Sequence, residues 1–173
     1  MGKEYPHGRV KLVIPALYSS KVHMEKAEKE LIKKYGDIDY KSKDILFTFT
    51  DYYNEEMGNP IYRCFLSFKK LILPEELVKI KLFTNRIELK YAEEGKRKIN
   101  LDPGYMELGK FILATTKDQQ HRIYIGGGIY EEITLFYSKK IWQHWEWTYP
   151  DYRSEEYKSI LGKIREIYRK QIN

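Results

Sequence analysis

A chain of 173 residues with 31 Lys plus Arg, 25 Asp plus Glu and a net charge of +6 has the length of a single domain. At that size roughly 70% of the unfolded surface can be buried, so the fold requires neither disulfides nor a structural metal. A composition 42% hydrophobic and 32% charged excludes disordered and collagenous chains, and no apolar run approaches the roughly 18 residues of a membrane helix. The start of the chain also lacks the apolar core of a signal peptide, so the expectation is a soluble, cytoplasmic protein with one α+β domain over residues 1–173.

In chain order, Val10 to Ile14 is a short apolar run that predicts a strand buried on both faces. Ser19 or Ser20 can cap a helix over 21–35, where Met24, Ala27, Leu31 and Tyr35 recur at helical spacing before Gly36. Ile45 to Thr50 alternates as a strand, a polar turn spans 54–60, and Ile61 to Phe68 returns as its antiparallel partner. Leu73-Pro74-Glu75-Glu76 opens a second helix with the stripe Ile80, Phe83, Ile87 and Tyr91. Extended segments follow at 98–101 and 108–115. Two alternating runs, 122–125 and 129–137, flank Gly126-Gly127-Gly128 as a hairpin. From Ser154, the residues Tyr157, Ile160, Leu161, Ile164 and Tyr168 mark the clearest amphipathic helix. This order predicts a ferredoxin-like βαββαβ core with an additional C-terminal β-hairpin and a terminal helix.

The sixteen tyrosines are the unusual count. Much of the Ile, Lys, Glu and Tyr content has the character of proteins from hot environments. Tyr35, Tyr91, Tyr157 and Tyr168 fall on helical core faces, whereas Tyr52, Tyr53, Tyr105, Tyr149 and Tyr152 sit among Asp, Pro, Gly and Arg. The lone Cys64 lies in an apolar alternation and reads as a small buried hydrophobe.

The triple glycine is followed by a strand rather than a helix, so it is a turn and not a phosphate loop. Thr116-Lys117-Asp118 lacks one residue of the guanine-recognising pattern and has no Walker A motif beside it. Phe65-Leu66-Ser67-Phe68 matches only half of an RNA-recognition strand, and core packing accounts for its aromatics.

Four polar strings stand out: Phe49-Thr50-Asp51-Tyr52-Tyr53 with Glu56-Met57-Gly58; Asn100-Leu101-Asp102-Pro103-Gly104-Tyr105; Ala114-Thr115-Thr116-Lys117-Asp118 with His121-Arg122; and Tyr149-Pro150-Asp151-Tyr152-Arg153. Local roles exist for parts of them, with Asp102-Pro103-Gly104 forming a turn and Asp151 capping the last helix. Together the strings resemble a prokaryotic family known as domain of unknown function 4416. The resemblance covers nearly the whole chain, implies that one chain-length module carries all four clusters, and brings no established activity.

The first functional expectation is a small-molecule or phosphoester site, with a hydrolase as its catalytic form. Asp51, Asp102, Asp118, His121 and Asp151 are the candidate catalytic groups, and Tyr52, Tyr105, Arg122, Tyr152 and Arg153 the candidate ligand-binding groups. Carboxylates could also hold a divalent cation; the sequence names neither metal nor cofactor. An anionic small molecule is the expected partner, because +6 with an isoelectric point near 9.1 suits one. The alternatives are an RNA or ribonucleoprotein accessory module stacking bases on Trp142, Trp145 and Trp147, and a structural partner-binding or homo-oligomeric module.

Overall fold

The computed structural model describes residues 2–173. In chain order it contains β1 (Lys11–Tyr18), α1 (Lys21–Tyr35), β2 (Ile38–Lys41), β3 (Ile45–Leu46), the one-turn α2 (Asn54–Met57), β4 (Tyr62–Phe68), and α3 (Leu77–Lys90) behind a 3-10 turn at Pro74–Glu76. Then come β5 (Ile99–Leu101), β6 (Gly104–Met106), β7 (Lys110–Thr115), β8 (Ile123–Gly126), β9 (Ile129–Ser138), β10 (Ile141–His144), α4 (Pro150–Arg153) and α5 (Glu155–Ile172). No helix among the described residues is long and apolar enough to cross a membrane.

All ten strands belong to one antiparallel sheet, ordered β10-β9-β7-β6-β1-β4-β2, with β3 beside β4, β5 beside β1 and β8 beside β9. A ten-stranded sheet replaces the four-stranded core plus hairpin expected from the sequence. β1 lies at its centre, buried at all eight positions, and runs on past Pro15 to Tyr18. Its alternation builds two cores. Leu12, Ile14, Ala16 and Tyr18 face α1 and α3, and Val13 faces α5. β4 divides the same way: Cys64, Leu66 and Phe68 join the first core and Phe65 the second. The strand expected to face two helices on one side is therefore covered on both. Burial pushes the Cys64 thiol up to about 12, which keeps it an inert hydrophobe.

Local chemistry fixes the helix ends. The Ser20 side chain accepts from His23 N, and Gly36, at φ 87°, ends α1 in a conformation that favours glycine. Ser154 caps α5 by accepting from Tyr157 N, a role the sequence had offered to Asp151. Ile45 to Thr50 does not continue as a strand beyond Leu46: Phe47 and Tyr53 instead turn inward over Leu17, Met57 and Ile61.

The segment 99–106 corrects another expectation. β5 pairs with β1 through Ala16 and Leu101, and β6 pairs with it through Val13 and Gly104, without a register shift. Asp102-Pro103-Gly104 is thus extended chain within one strand, not a turn. The ladder is interrupted because Pro15, opposite Asp102, accepts from Asp102 N but has no N–H to donate in return. Gly104 is required by proximity, since a Cβ there would stand 2.0 Å from the Ile112 carbonyl oxygen of β7.

Candidate functional site

β7 follows this long strand only part of the way. Ala114 N still donates to Pro103 O, but β7 ends at Thr115, and β5 has no strand on its outer side. Exposed backbone groups at such an edge need partners. Helix α3 supplies them: Glu88 Oε1 accepts from Leu101 N at 2.7 Å, and Lys81 Nζ donates to Leu101 O at 2.9 Å. Lys81, Thr84 and Glu88 form a buried polar stripe on α3 beside its apolar one. Burial raises the pKa of Glu88, with Lys81 opposing the shift. Arg97 closes the group, reaching Glu88 at 2.9 Å, Asn100 Oδ1 at 2.8 Å, and both oxygens of Glu56 on α2 at 2.5 and 2.8 Å.

Asp102 sits where the strands part. Asn100 Nδ2 donates to its Oδ2 at 2.8 Å, Lys81 Nζ lies 3.8 Å from Oδ1, and Arg63 Nη1 lies 3.6 Å from Oδ2. Arg63 projects from β4 on the α5 side and also donates through Nη2 to Asp151 Oδ2 at 3.1 Å. Both members of this pair are sealed, with side chains 4% and 7% exposed, whereas that of Asp102 is 28% exposed. Burial raises the Asp151 pKa and the Arg63 charge pulls it back. The guanidinium is enclosed by the rings of Phe47, Tyr152 and Tyr157, whose centroids lie 5.6, 5.8 and 5.9 Å from its carbon. Yet among the described residues no hydrogen bond of ordinary geometry serves its Nε and Nη1 or the hydroxyls of Tyr152 and Tyr157, although the Tyr157 hydroxyl lies near enough to the guanidinium to interact with it.

A second polar group comes from the other strings. Tyr52, 66% exposed, has its hydroxyl 3.3 Å from Lys117 Nζ, which also lies 4.9 Å from the Tyr52 ring centre. Arg122 donates to Glu132 at 2.8 Å, to Lys117 O at 2.9 Å and to the Tyr149 hydroxyl at 3.3 Å. His121 Nε2 shares the same Glu132 oxygen at 3.1 Å. A carboxylate only accepts, so the imidazole turns Nε2–H to it and keeps Nδ1 as its basic nitrogen.

The structure therefore groups Asp102, Asp151 and Tyr152 around Arg63, and Tyr52, His121 and Arg122 around Lys117 and Glu132. It leaves out four of the expected residues. Asp51 is exposed and takes the Asn54 side chain at 2.8 Å, a local turn contact. Asp118 is exposed and makes no ion pair or side-chain hydrogen bond among the described residues. Tyr105 is 6% exposed within the α1/α3 core. Arg153 is a loop brace, donating to Thr148 O and Glu146 O at 2.6 Å each. Arg63, Lys81, Glu88, Arg97, Lys117 and Glu132 were not predicted; the signal for Arg63 and Glu132 was a charge at a core position of a strand.

Among the described residues no group of three or more His, Cys, Asp or Glu side chains could hold a metal ion. The carboxylates here pair with Arg and Lys instead. The tryptophans are also engaged: Trp142 is buried against Tyr137, Trp145 lies between Phe136 at 4.4 Å and Trp147 at 5.1 Å, and Trp147 stacks on His121 at 5.3 Å. Each exposed indole face suited to a base is thus covered by a neighbouring ring. Two surface hollows of about 380 and 370 Å³ lie elsewhere, one lined by Tyr18, Lys41 and Cys64, the other by Lys34, Phe83 and Arg86. Neither is lined by residues of the two polar groups.

Fold and site together define an α+β protein built on one large antiparallel sheet, with a polar cluster where two neighbouring strands part. The chain belongs to the family described as domain of unknown function DUF4416, whose model matches residues 8–168. No curated protein and no solved structure matches it.

Proposed function

We propose that the polar group around Lys117, Arg122 and His121 binds a small molecule through an anionic group, a phosphoester being the best fit, and that His121 supports its hydrolysis. The observation that carries the proposal is the meeting of strings distant in sequence at one mouth, where Lys117 has a phenol rather than a carboxylate as its partner. Among the described residues Lys117 makes no ion pair, and a phosphate oxygen is a stronger acceptor for an ammonium than a tyrosine hydroxyl. Tyr52 and Tyr149 line the same opening with hydroxyls able to donate. His121, oriented by a buried carboxylate that Arg122 also holds, has the arrangement of a general base. The first 106 residues are read as a ferredoxin-like module within the larger sheet, supported by the neighbour order β5/β6, β1, β4, β2 with α1 and α3 on one face. A cytoplasmic, prokaryotic setting belongs to the same proposal.

Titration with inorganic phosphate, followed by calorimetry, tests the binding step. Lys117→Ala is expected to weaken it about tenfold, equivalent to roughly 1.4 kcal/mol. Absence of heat up to about 10 mM phosphate would remove the anion site. For the catalytic step, the wild type should release p-nitrophenolate from p-nitrophenyl phosphate and His121→Ala should not. Equal release by both would leave a binding protein only.

A further inference from the structure

We infer that the hollow between the end of α1 and the outer face of α3 is a second binding site, for a small aromatic acid of the aryl carboxylate class, separate from the anion site proposed above. Contacts between the two helices run in opposite chain order, Glu30 with Lys90 and Tyr35 with Phe83. One register of this junction is closed by charge, since Glu30 accepts from Lys90 at 2.7 Å and from the Tyr91 hydroxyl. One turn further along both helices the corresponding positions hold Lys34 and Arg86, two cations with no acid between them. Both flank the Phe83 ring, at 5.8 and 5.7 Å from its centre. Lys79, one turn before Phe83, adds a third cation to the same hollow. Among the described residues none of the three makes an ion pair. The one carboxylate in the lining, Glu76, is turned back to accept from Leu73 N at 2.7 Å.

The class of ligand follows from this lining. The hollow has a volume of about 370 Å³, within the range of small-molecule sites. Three unpaired cations call for an anion. The rest of the wall is apolar: Ile80, Leu82, and the rings of Tyr35 and Phe83, which meet edge to face at 5.8 Å. Leu82 is 37% exposed. An inorganic ion would leave this surface in water, whereas a flat ring covers it while its acid group meets the cations. The Arg86 guanidinium offers a planar fork to two carboxylate oxygens. The Tyr35 hydroxyl makes no hydrogen bond within the described residues, and burial keeps it protonated, so it too can donate to the acid.

Calorimetric titration of the full chain with 2-naphthoate, the uncharged 2-naphthalenemethanol and acetate separates charge from ring. 2-Naphthoate is expected to bind at least about tenfold more tightly than either of the others. Lys34→Gln and Arg86→Gln, both at exposed helix positions, should each weaken it about threefold to fivefold, and the double variant about tenfold. Thermal melting establishes that each variant is folded, and inorganic phosphate should titrate the double variant as it does the wild type. Absence of heat up to about 10 mM 2-naphthoate would overturn the inference. Equal affinity for 2-naphthalenemethanol, or full affinity in the folded double variant, would also overturn it. None of these results bears on phosphate binding at Lys117. Loss of 2-naphthoate binding in Lys117→Ala with retention in the double variant would place the acid at the other site and overturn the inference as well.

Discussion

Two cations are buried on the same side of the sheet under the same helix, and they are treated differently. Lys11 on β1 is wholly buried near the C-terminal end of α5; Arg63 on the adjacent β4 is buried near its N-terminal end. Lys11 has two acceptors: Nζ donates to Asp39 and, at 2.7 Å, to Gln171 Oε1. Asp39 in turn accepts from Ser67 Oγ at 2.6 Å, and Gln171 donates to Lys69 O at 2.8 Å. Every group in that cluster has a partner within the chain, and its effect is to fasten the end of α5 to the sheet. Arg63 has its charge matched by Asp151 and Asp102, yet four polar atoms around it remain unmatched. A buried charge is therefore not in itself a sign of function. Unused hydrogen-bonding capacity is the better sign, because folding alone gives no reason to retain it.

The comparison is broken most severely at Arg63. Arg63→Ala leaves Asp151 buried beside nothing that neutralises it, and the expected loss is about 3–5 kcal/mol in urea unfolding at neutral pH. Replacing both partners by apolar residues, Arg63→Met with Asp151→Leu, should recover most of that loss, since no orphaned charge remains. A loss below about 1 kcal/mol for the single variant would mean that Arg63 is not the counter-ion of Asp151.

At the other end, Lys11→Met should cost less, roughly 1–3 kcal/mol, because Asp39 keeps Ser67 and partial contact with water. Its signature is in the pH dependence. Burial holds the folded-state pKa of Lys11 below its ordinary 10.5. Between those two values the unfolded chain binds more protons than the folded one, so this group makes stability rise with pH. The wild type should therefore gain on Lys11→Met as pH increases toward 10.5, and the gap should be constant below the folded-state value. A gap that narrows with rising pH would reverse the assignment.

The same two clusters explain what was legible in the sequence. Periodicity with a Ser cap and a following Gly placed α1 at the observed 21–35, since both signals are local. The triple glycine gave the β8–β9 hairpin for the same reason, with Gly126, Gly127 and Gly128 all at positive φ. Asp102-Pro103-Gly104 misled, because its turn-like composition serves a different need: Pro15 opposite Asp102 interrupts the ladder, and a glycine admits a close neighbouring strand. In the site, Asp102, His121, Arg122 and Asp151 were visible as polar groups clustered in sequence. Asp51 and Asp118 have the same local appearance, and only tertiary structure distinguishes a charge at a cleft from one on an open surface. Arg63 and Lys11 were hidden because each sits alone in an apolar strand, where its meaning depends on partners more than 20 residues away.

The finest comparison uses one hydroxyl from each cluster. Ser67→Ala removes a donor that Asp39 uses and should cost about 1 kcal/mol, the ordinary worth of a satisfied hydrogen bond. Tyr157→Phe removes a buried hydroxyl that stands beside the Arg63 guanidinium without a hydrogen bond of ordinary geometry. The ring and its packing against Phe65 at 4.9 Å and Tyr152 at 5.6 Å are retained, so the unliganded protein should change by no more than about 0.5 kcal/mol in either direction. The two variants differ by a single oxygen each, and differential scanning calorimetry resolves them. Equal destabilisation would mean that the Tyr157 hydroxyl has a protein partner in solution and that the Arg63 cluster is as complete as the Lys11 cluster. A near-neutral Tyr157→Phe beside a costly Ser67→Ala would locate the unmet capacity at the N-terminal end of α5, around Arg63.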